Sequence, residues 1–164
     1  MDFDRSLFIR GNRAMGLALV QAGLVSQQNL DQANARLIDC LRSGALKGAG
    51  ILPILTHEMN ALPENLLLQH QASQQGIGLM DLASYQVRIP PGTDAAMCWA
   101  TWTLPIDERE GIRFLASAYY LSQPVREAWE TLCGGPVVWY AASLETLIAA
   151  IEKIEGAPTG AEAK

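Results

Sequence analysis

Lysine is scarce in this sequence: Lys47 and Lys153 stand over a hundred positions apart, and the third lysine is the last residue. Neutralising a nucleic-acid backbone takes clustered cations, so wrapping DNA or RNA is excluded as a role. Positive charge is short overall, with 12 Lys and Arg against 17 Asp and Glu and a net charge of -5. The deficit is uneven. Residues 1–47 hold six basic and four acidic side chains, and residues 48–164 hold six and thirteen. A small anionic ligand is therefore compatible with the N-terminal part alone.

Other absences narrow the chemistry. The two histidines are His57 and His70. His57-Glu58 opens an H-E-x-x-H pattern, but Ala61 closes it, and the two-histidine zinc face is missing. Cys40, Cys98 and Cys133 form no C-x-x-C pair, which reads as free thiols in a reducing compartment. The loop Gly44 to Gly50 contains Lys47 without a G-x-x-x-x-G-K-[ST] phosphate cradle, and Gly76-Ile77-Gly78 lacks the third glycine of a dinucleotide fingerprint. There is no G-x-S-x-G. Asp107, Glu108 and Glu110 fall on a predicted turn beside Arg109 and Arg113, where carboxylates read as a solvated surface. No catalytic residue, metal site or cofactor is assigned, and the reading is a chain that is not an enzyme. Apolar windows are broken by Gln21, Pro53 or Glu58, and the acidic start Met1 to Asp4 lacks a basic flank. The expectation is a cytoplasmic protein without direct membrane insertion.

What is present is helical punctuation. Met15, Leu19 and Ala22 recur at helical spacing, and Gly23 sits where a left-handed residue closes a helix. Leu24 and Val25 are apolar in the connector, Ser26 is a cap, and Leu30, Ala33, Leu37 and Leu41 continue a stripe on a second helix. The pattern then returns in degenerate form. After the glycine-rich loop Ser43 to Gly50, Ile51, Ile54, Leu55 and Met59 form a stripe with Pro53 in its first turn. Pro63 and Glu64 start a further helix that Gly76 stops.

From Ile77 the period changes. Gly78 to Leu82 and Tyr85 to Ile89 read as short extended pieces, and Thr93 caps a brief helix through Ala100. Trp102 to Asp107 and Ile112 to Ala118 alternate as a hairpin. Ser122 starts a helix with Val125, Ala128, Trp129 and Leu132 on one stripe, Val137 to Ala141 is a covered strand, and Ser143 caps the last helix. Strands 112–118 and 137–141 should run parallel through a right-handed crossover. The fold class is α+β: an N-terminal helical subdomain of two helix-turn-helix pairs, residues 12–76, precedes a small mixed-sheet unit, residues 77–155, in the order strand, strand, helix, strand, helix. Residues 1–11 are read as an arm and 156–164 as a disordered tail.

These residues resemble the N-terminal domain of the assembly ATPases of bacterial type II secretion and type IV pili. Met15-Gly16, Leu19-Val20, Gly23, Leu24-Val25 and Leu30 match the family's first motif, and the segment from Trp102 to Ile151 is similar to its hairpin, helix, closing strand and closing helix. The likeness runs from about Asn12 to Ile154. It implies a non-catalytic adaptor or docking domain whose partner is the cytoplasmic part of an inner-membrane secretion or pilus component, with peripheral localisation through that partner. Some domains of this kind bind cyclic di-GMP. Carried over, that alternative implies Arg13, Gly16, Leu19, Val20, Gly23, Leu24, Val25 and Leu30 as ligand residues. Two departures stand out: Ala14 holds the place of the family arginine, one position after Arg13, and the second copy has Pro53 and Asn60 at or beside its glycine positions. The family's motor machinery would follow the C-terminal end and is not in the sequence, which leaves an excised domain and a stand-alone relative as the two readings.

Overall fold

The computed structural model describes residues 3–156. Helix α1, Arg5–Gln21, opens on Asp4, whose carboxylate accepts the Leu7 N–H at 2.9 Å. The stretch read as an arm is thus mostly the first turns of a helix, with Leu7 and Phe8 buried. Gly11, which looks like a break in sequence, is a packing position: a Cβ there would lie 3.1 Å from a methyl of Val125. The other end closes as expected. Gly23 takes φ 76°, its N–H donates to the Val20 carbonyl and the Leu24 N–H to that of Leu19, both at 3.0 Å.

Helix α2, Gln27–Ser43, is capped by the Ser26 hydroxyl, which accepts the Asn29 N–H at 3.1 Å. It buries Leu30, Ala33 and Leu37. Helix α3 begins as Ile51–Pro53 and widens into a π-helical turn, Ile54–Glu58, in which the Met59 N–H reaches back five residues to the Ile54 carbonyl at 2.9 Å. Asn60 follows with φ 52°. Helix α4, Glu64–Gln74, ends at Gly76, φ 68°, as the sequence pattern requires.

The second part is a four-stranded mixed sheet in the order β1-β4-β3-β2, built from β1, Gly78–Leu79, β2, Thr103–Arg109, β3, Ile112–Ser117, and β4, Val137–Ala141. Strands β3 and β4 are parallel as expected, and β1 extends the parallel part beyond β4. Only β2 and β3 are antiparallel. Their connection is tighter than the sequence indicated: Glu110 and Gly111, at φ 53° and 81°, form a two-residue turn with both centres left-handed. The expected alternation in β2 also fails. Trp102 is the left-handed cap of helix α5, Ala95–Thr101, rather than a strand residue, and a bulge between Pro105 and Asp107 inserts Ile106. Proline cannot donate to a ladder, and a bulge is where a strand tolerates it. Tyr85 to Ile89 forms no strand, but the Arg88 N–H donates to the Ile106 carbonyl at 2.8 Å.

Helix α6, Gln123–Cys133, makes the crossover between β3 and β4, and α7, Leu144–Gly156, closes the described chain. One cap differs from expectation: Asp94 rather than Thr93 caps α5. Ser122 starts α6 as expected, and its hydroxyl donates to the Gly11 carbonyl at 2.7 Å, tying α6 to α1. Leu132, expected on the buried stripe of α6, is 62% exposed. The tail read as disordered lies outside the described residues, apart from Gly156 at the end of α7. One hydrophobic cluster runs from Phe8, Met15 and Leu19 through Ile51 and Leu55 to Trp102, Leu115, Trp129 and Ile151, so helices and sheet share a core.

Candidate binding surface on the first helical hairpin

The eight residues that the resemblance implies for a ligand all lie on α1, α2 and their connector, but on different sides of them. Gly16, Leu19, Val25 and Leu30 are buried, Val20 and Leu24 are half-buried, and Arg13 and Gly23 are exposed. The interior four pack the hairpin. A Cβ at Gly16 would lie 2.6 Å from the Leu30 Cδ1, so the absent side chain is what lets α2 seat its leucine against α1. Gly23 has open space around it and is required for its dihedral angle alone. The part of the motif that reaches solvent therefore reduces to Arg13, Val20, Gly23 and Leu24.

A buried polar hub holds this hairpin on the rest of the chain. Asn12, inside α1, donates from Nδ2 to the Phe8 carbonyl at 2.8 Å, while its Oδ1 accepts the Ile51 N–H at 2.7 Å and the Tyr119 hydroxyl at 2.6 Å. The Tyr119 hydroxyl in turn accepts the Leu52 N–H at 3.2 Å. Two otherwise orphaned donors at the start of α3 are thus satisfied from α1 and from the connection after β3. Burial pushes the Tyr119 hydroxyl pKa far above its usual value, so it stays a donor. The Trp102 indole N–H adds a bond to the Ala49 carbonyl at 3.0 Å, which pins the end of the glycine-rich loop. Neither Asn12 nor Tyr119 was singled out from sequence. The available signal was a polar residue on the apolar side of α1.

The acidic group on the hairpin is not uniformly solvated. Asp107 is 4% exposed. Burial raises its pKa, but the Glu108 N–H, the Arg109 guanidinium and the Tyr85 hydroxyl outweigh that and hold it below the usual carboxylate range. Glu108 and Glu110 are exposed as expected. Asp107, Tyr85 and Arg109 border a cavity of about 260 Å³ with Met80, Phe114 and Tyr140. The carboxylate is already engaged by three donors, so it is built as a structural anion and not as a proton carrier. Burial pushes the Cys98 thiol up to about 12, which keeps it protonated and unreactive. The four tryptophans are buried, and Trp99 and Trp102 meet edge to face at 5.9 Å, as core packing rather than a stacking platform. Among the described residues, no group of three or more His, Cys, Asp or Glu could hold a metal ion, and no helix is long and apolar enough to cross a membrane.

Fold and surface together define a class: a small α+β domain that presents a helical hairpin on a mixed sheet. Solved structures of that class exist. The chain is similar to the N-terminal domain of XpsE, with a TM-score of 0.59 and 18% identity over 87% of this chain and 94% of the other, and to a second crystal form of it at 0.55 and 20%, over 82% and 90%. It is also similar to MshE with cyclic di-GMP, at 0.54 and 20% identity over 85% and 96%. At these identities the likeness is one of fold, and it agrees with the resemblance read from the sequence. Neither a protein-family model nor a curated protein matches the chain.

Proposed function

We propose that this chain is a non-catalytic docking domain of a type II secretion or type IV pilus-like system, acting in the cytoplasm and held at the inner membrane through a protein partner. The observation that carries this reading is the convergence of two likenesses: the first-motif residues Met15 to Leu30, and a fold shared with the N-terminal domain of XpsE over most of both chains. The site geometry is consistent with it, because the motif's side chains divide between holding the hairpin and facing solvent. An affinity-tagged form should retrieve a membrane-anchored secretion or pilus component from lysate at low and at high salt. Retrieval of none under either condition would contradict the reading.

A second reading, a cyclic di-GMP receptor, is favoured by one observation: the similar MshE structure holds that ligand. In this chain its contacts would fall on Arg13, Val20, Gly23 and Leu24, since Leu30 fills the space beside Gly16. Calorimetric titration separates the two readings. Saturable heat that is lost in Arg13→Ala or Gly23→Val supports the receptor, and heat equal to dilution removes it.

A further inference from the structure

The inward side of α1 is fully used: Phe8, Asn12, Met15 and Leu19 enter the core, and Gly11 and Gly16 admit α6 and α2. Its outward side is not. Ile9 is 38% and Leu17 49% exposed, with the exposed Arg13 midway between them. At spacings of i, i+4 and i+8 these three lie along one ridge about 12 Å long, and Arg10 stands beside Arg13 at i+3. A helix that is apolar on opposite sides is one that packs on both. Among the described residues, neither Arg10 nor Arg13 meets a carboxylate, and Arg10 bonds only to the Ser6 hydroxyl, at 3.4 Å. Arg36, Lys47, Arg109 and Arg113 each do meet one; among the other described cations Arg5 is held by the Leu41 carbonyl and Arg126 lies over the Tyr120 ring, while Arg42, Arg88 and Lys153 meet no carboxylate. The chain carries a net charge of -5, and its acid is concentrated after residue 47. The ridge is therefore a cationic, aliphatic strip on an otherwise acidic protein.

We infer that the outward ridge of α1 docks an acidic amphipathic helix of the partner protein, with carboxylates one turn apart meeting Arg10 and Arg13 and aliphatic side chains covering Ile9 and Leu17. This rests on the docking reading and adds to it the face and the chemistry of the partner. Guanidinium groups take carboxylates in a two-point fork, which sets the register of the incoming helix. An anionic lipid surface is the weaker match, because two basic residues gain little from it and the remaining acidic surface is repelled.

The test is site-specific photo-crosslinking of the full protein in its native host, with the reactive side chain at position 17 and, as a control, at the exposed position 132 of α6. Position 17 should join one protein through a segment bearing Asp or Glu at helical spacing, and position 132 should not. The purified cytoplasmic part of that protein should then bind R10E/R13E roughly a hundredfold more weakly than wild type. Arg10→Lys with Arg13→Lys should stay within about tenfold, because charge is kept and only the fork is lost. Wild-type melting and circular dichroism in both variants show that the fold is intact. A crosslink from 132 in place of 17, a joined segment without carboxylates, or unchanged affinity in R10E/R13E would overturn this face. So would flotation with phosphatidylglycerol-containing vesicles that is abolished in R10E/R13E. A partner retained at full strength by R10E/R13E keeps the docking reading and removes this one, whereas no partner at all removes both.

Discussion

At the end of α1, Gly23 takes φ 76° and the Leu24 N–H returns five residues to Leu19. At the end of the π turn, Asn60 takes φ 52° and the Ala61 N–H returns six, to Leu55. Counted from these left-handed residues, Val25 and Leu62 correspond, as do Leu30 and Leu67, and all four are buried. Counted backwards with the one extra residue that the π turn absorbs, Leu19 falls on Leu55 and Gly16 on Leu52. The comparison separates two jobs that glycine does in the first hairpin. Its dihedral job passes to asparagine, one of the few side chains that visit the left-handed region readily. Its spatial job does not pass on, because Leu52 brings a full side chain where the first hairpin has none. The second hairpin keeps the turn and loses the close approach, and its helix start is buried under Asn12 and Tyr119. It serves as a seat, while the first retains an outer face.

Removing the seat should have the largest effect. Asn12→Ala leaves the Ile51 N–H and the Tyr119 hydroxyl without their acceptor, and should cost about 3 kcal/mol in urea unfolding, where each buried orphan is worth about 1–3. A loss under about 1 would mean that the hub does not hold the two hairpins together. Making the first hairpin resemble the second comes next: Gly16→Val displaces Leu30 and should cost about 2 kcal/mol through overpacking. The left-handed positions should then behave alike. Gly23→Ala and Asn60→Ala each cost about 1 kcal/mol, whereas Gly23→Asn costs less than about half of that. Unequal alanine costs would break the correspondence of the two turns.

Asp107 lies outside both hairpins and acts as a control with its own pH signature. Its pKa is depressed in the folded chain, so the unfolded chain takes up the proton first. Wild-type stability is complete above the unfolded value near 3.9 and falls as pH drops toward the folded one. Asp107→Asn should melt below wild type at pH 7, and the gap should narrow between pH 5 and 3; a constant gap would remove the carboxylate's assigned role. The smallest effect belongs to Arg36, which joins α2 to the π turn through Glu58 at 2.8 Å on an exposed surface. Arg36→Ala should lower the melting midpoint slightly in low salt and not measurably in high salt.

Much of this fold could be read from the chain, for identifiable reasons. Gly23, Ser26 and Gly76 mark helix ends through local backbone chemistry, and a local cause leaves a local trace. The parallel pairing of β3 and β4 followed from the handedness of crossovers. The start of α1 was missed because Gly11 and Asn12 resemble a break, and only the approach of α6 and the bond to Ile51 show their use. The π turn and the bulge at Ile106 escaped because one inserted residue leaves hydrophobic periodicity nearly unchanged. On the candidate surface, the motif was legible as a hairpin but not as an inside and an outside. Leu19 and Val20 are equally apolar in sequence, and packing alone buries the first more deeply. Asn12 and Tyr119 meet across 107 positions, a distance at which no local pattern is written.

The most direct measurement is amide hydrogen exchange on the protein alone and in complex with whichever component the affinity-tagged form retrieves. Added protection confined to α1 and the connector Ala22 to Ser26, with the amides of residues 51–74 unchanged, is the result expected of a docking hairpin on a fixed seat. Protection that falls on residues 51–74, or none anywhere, would contradict it.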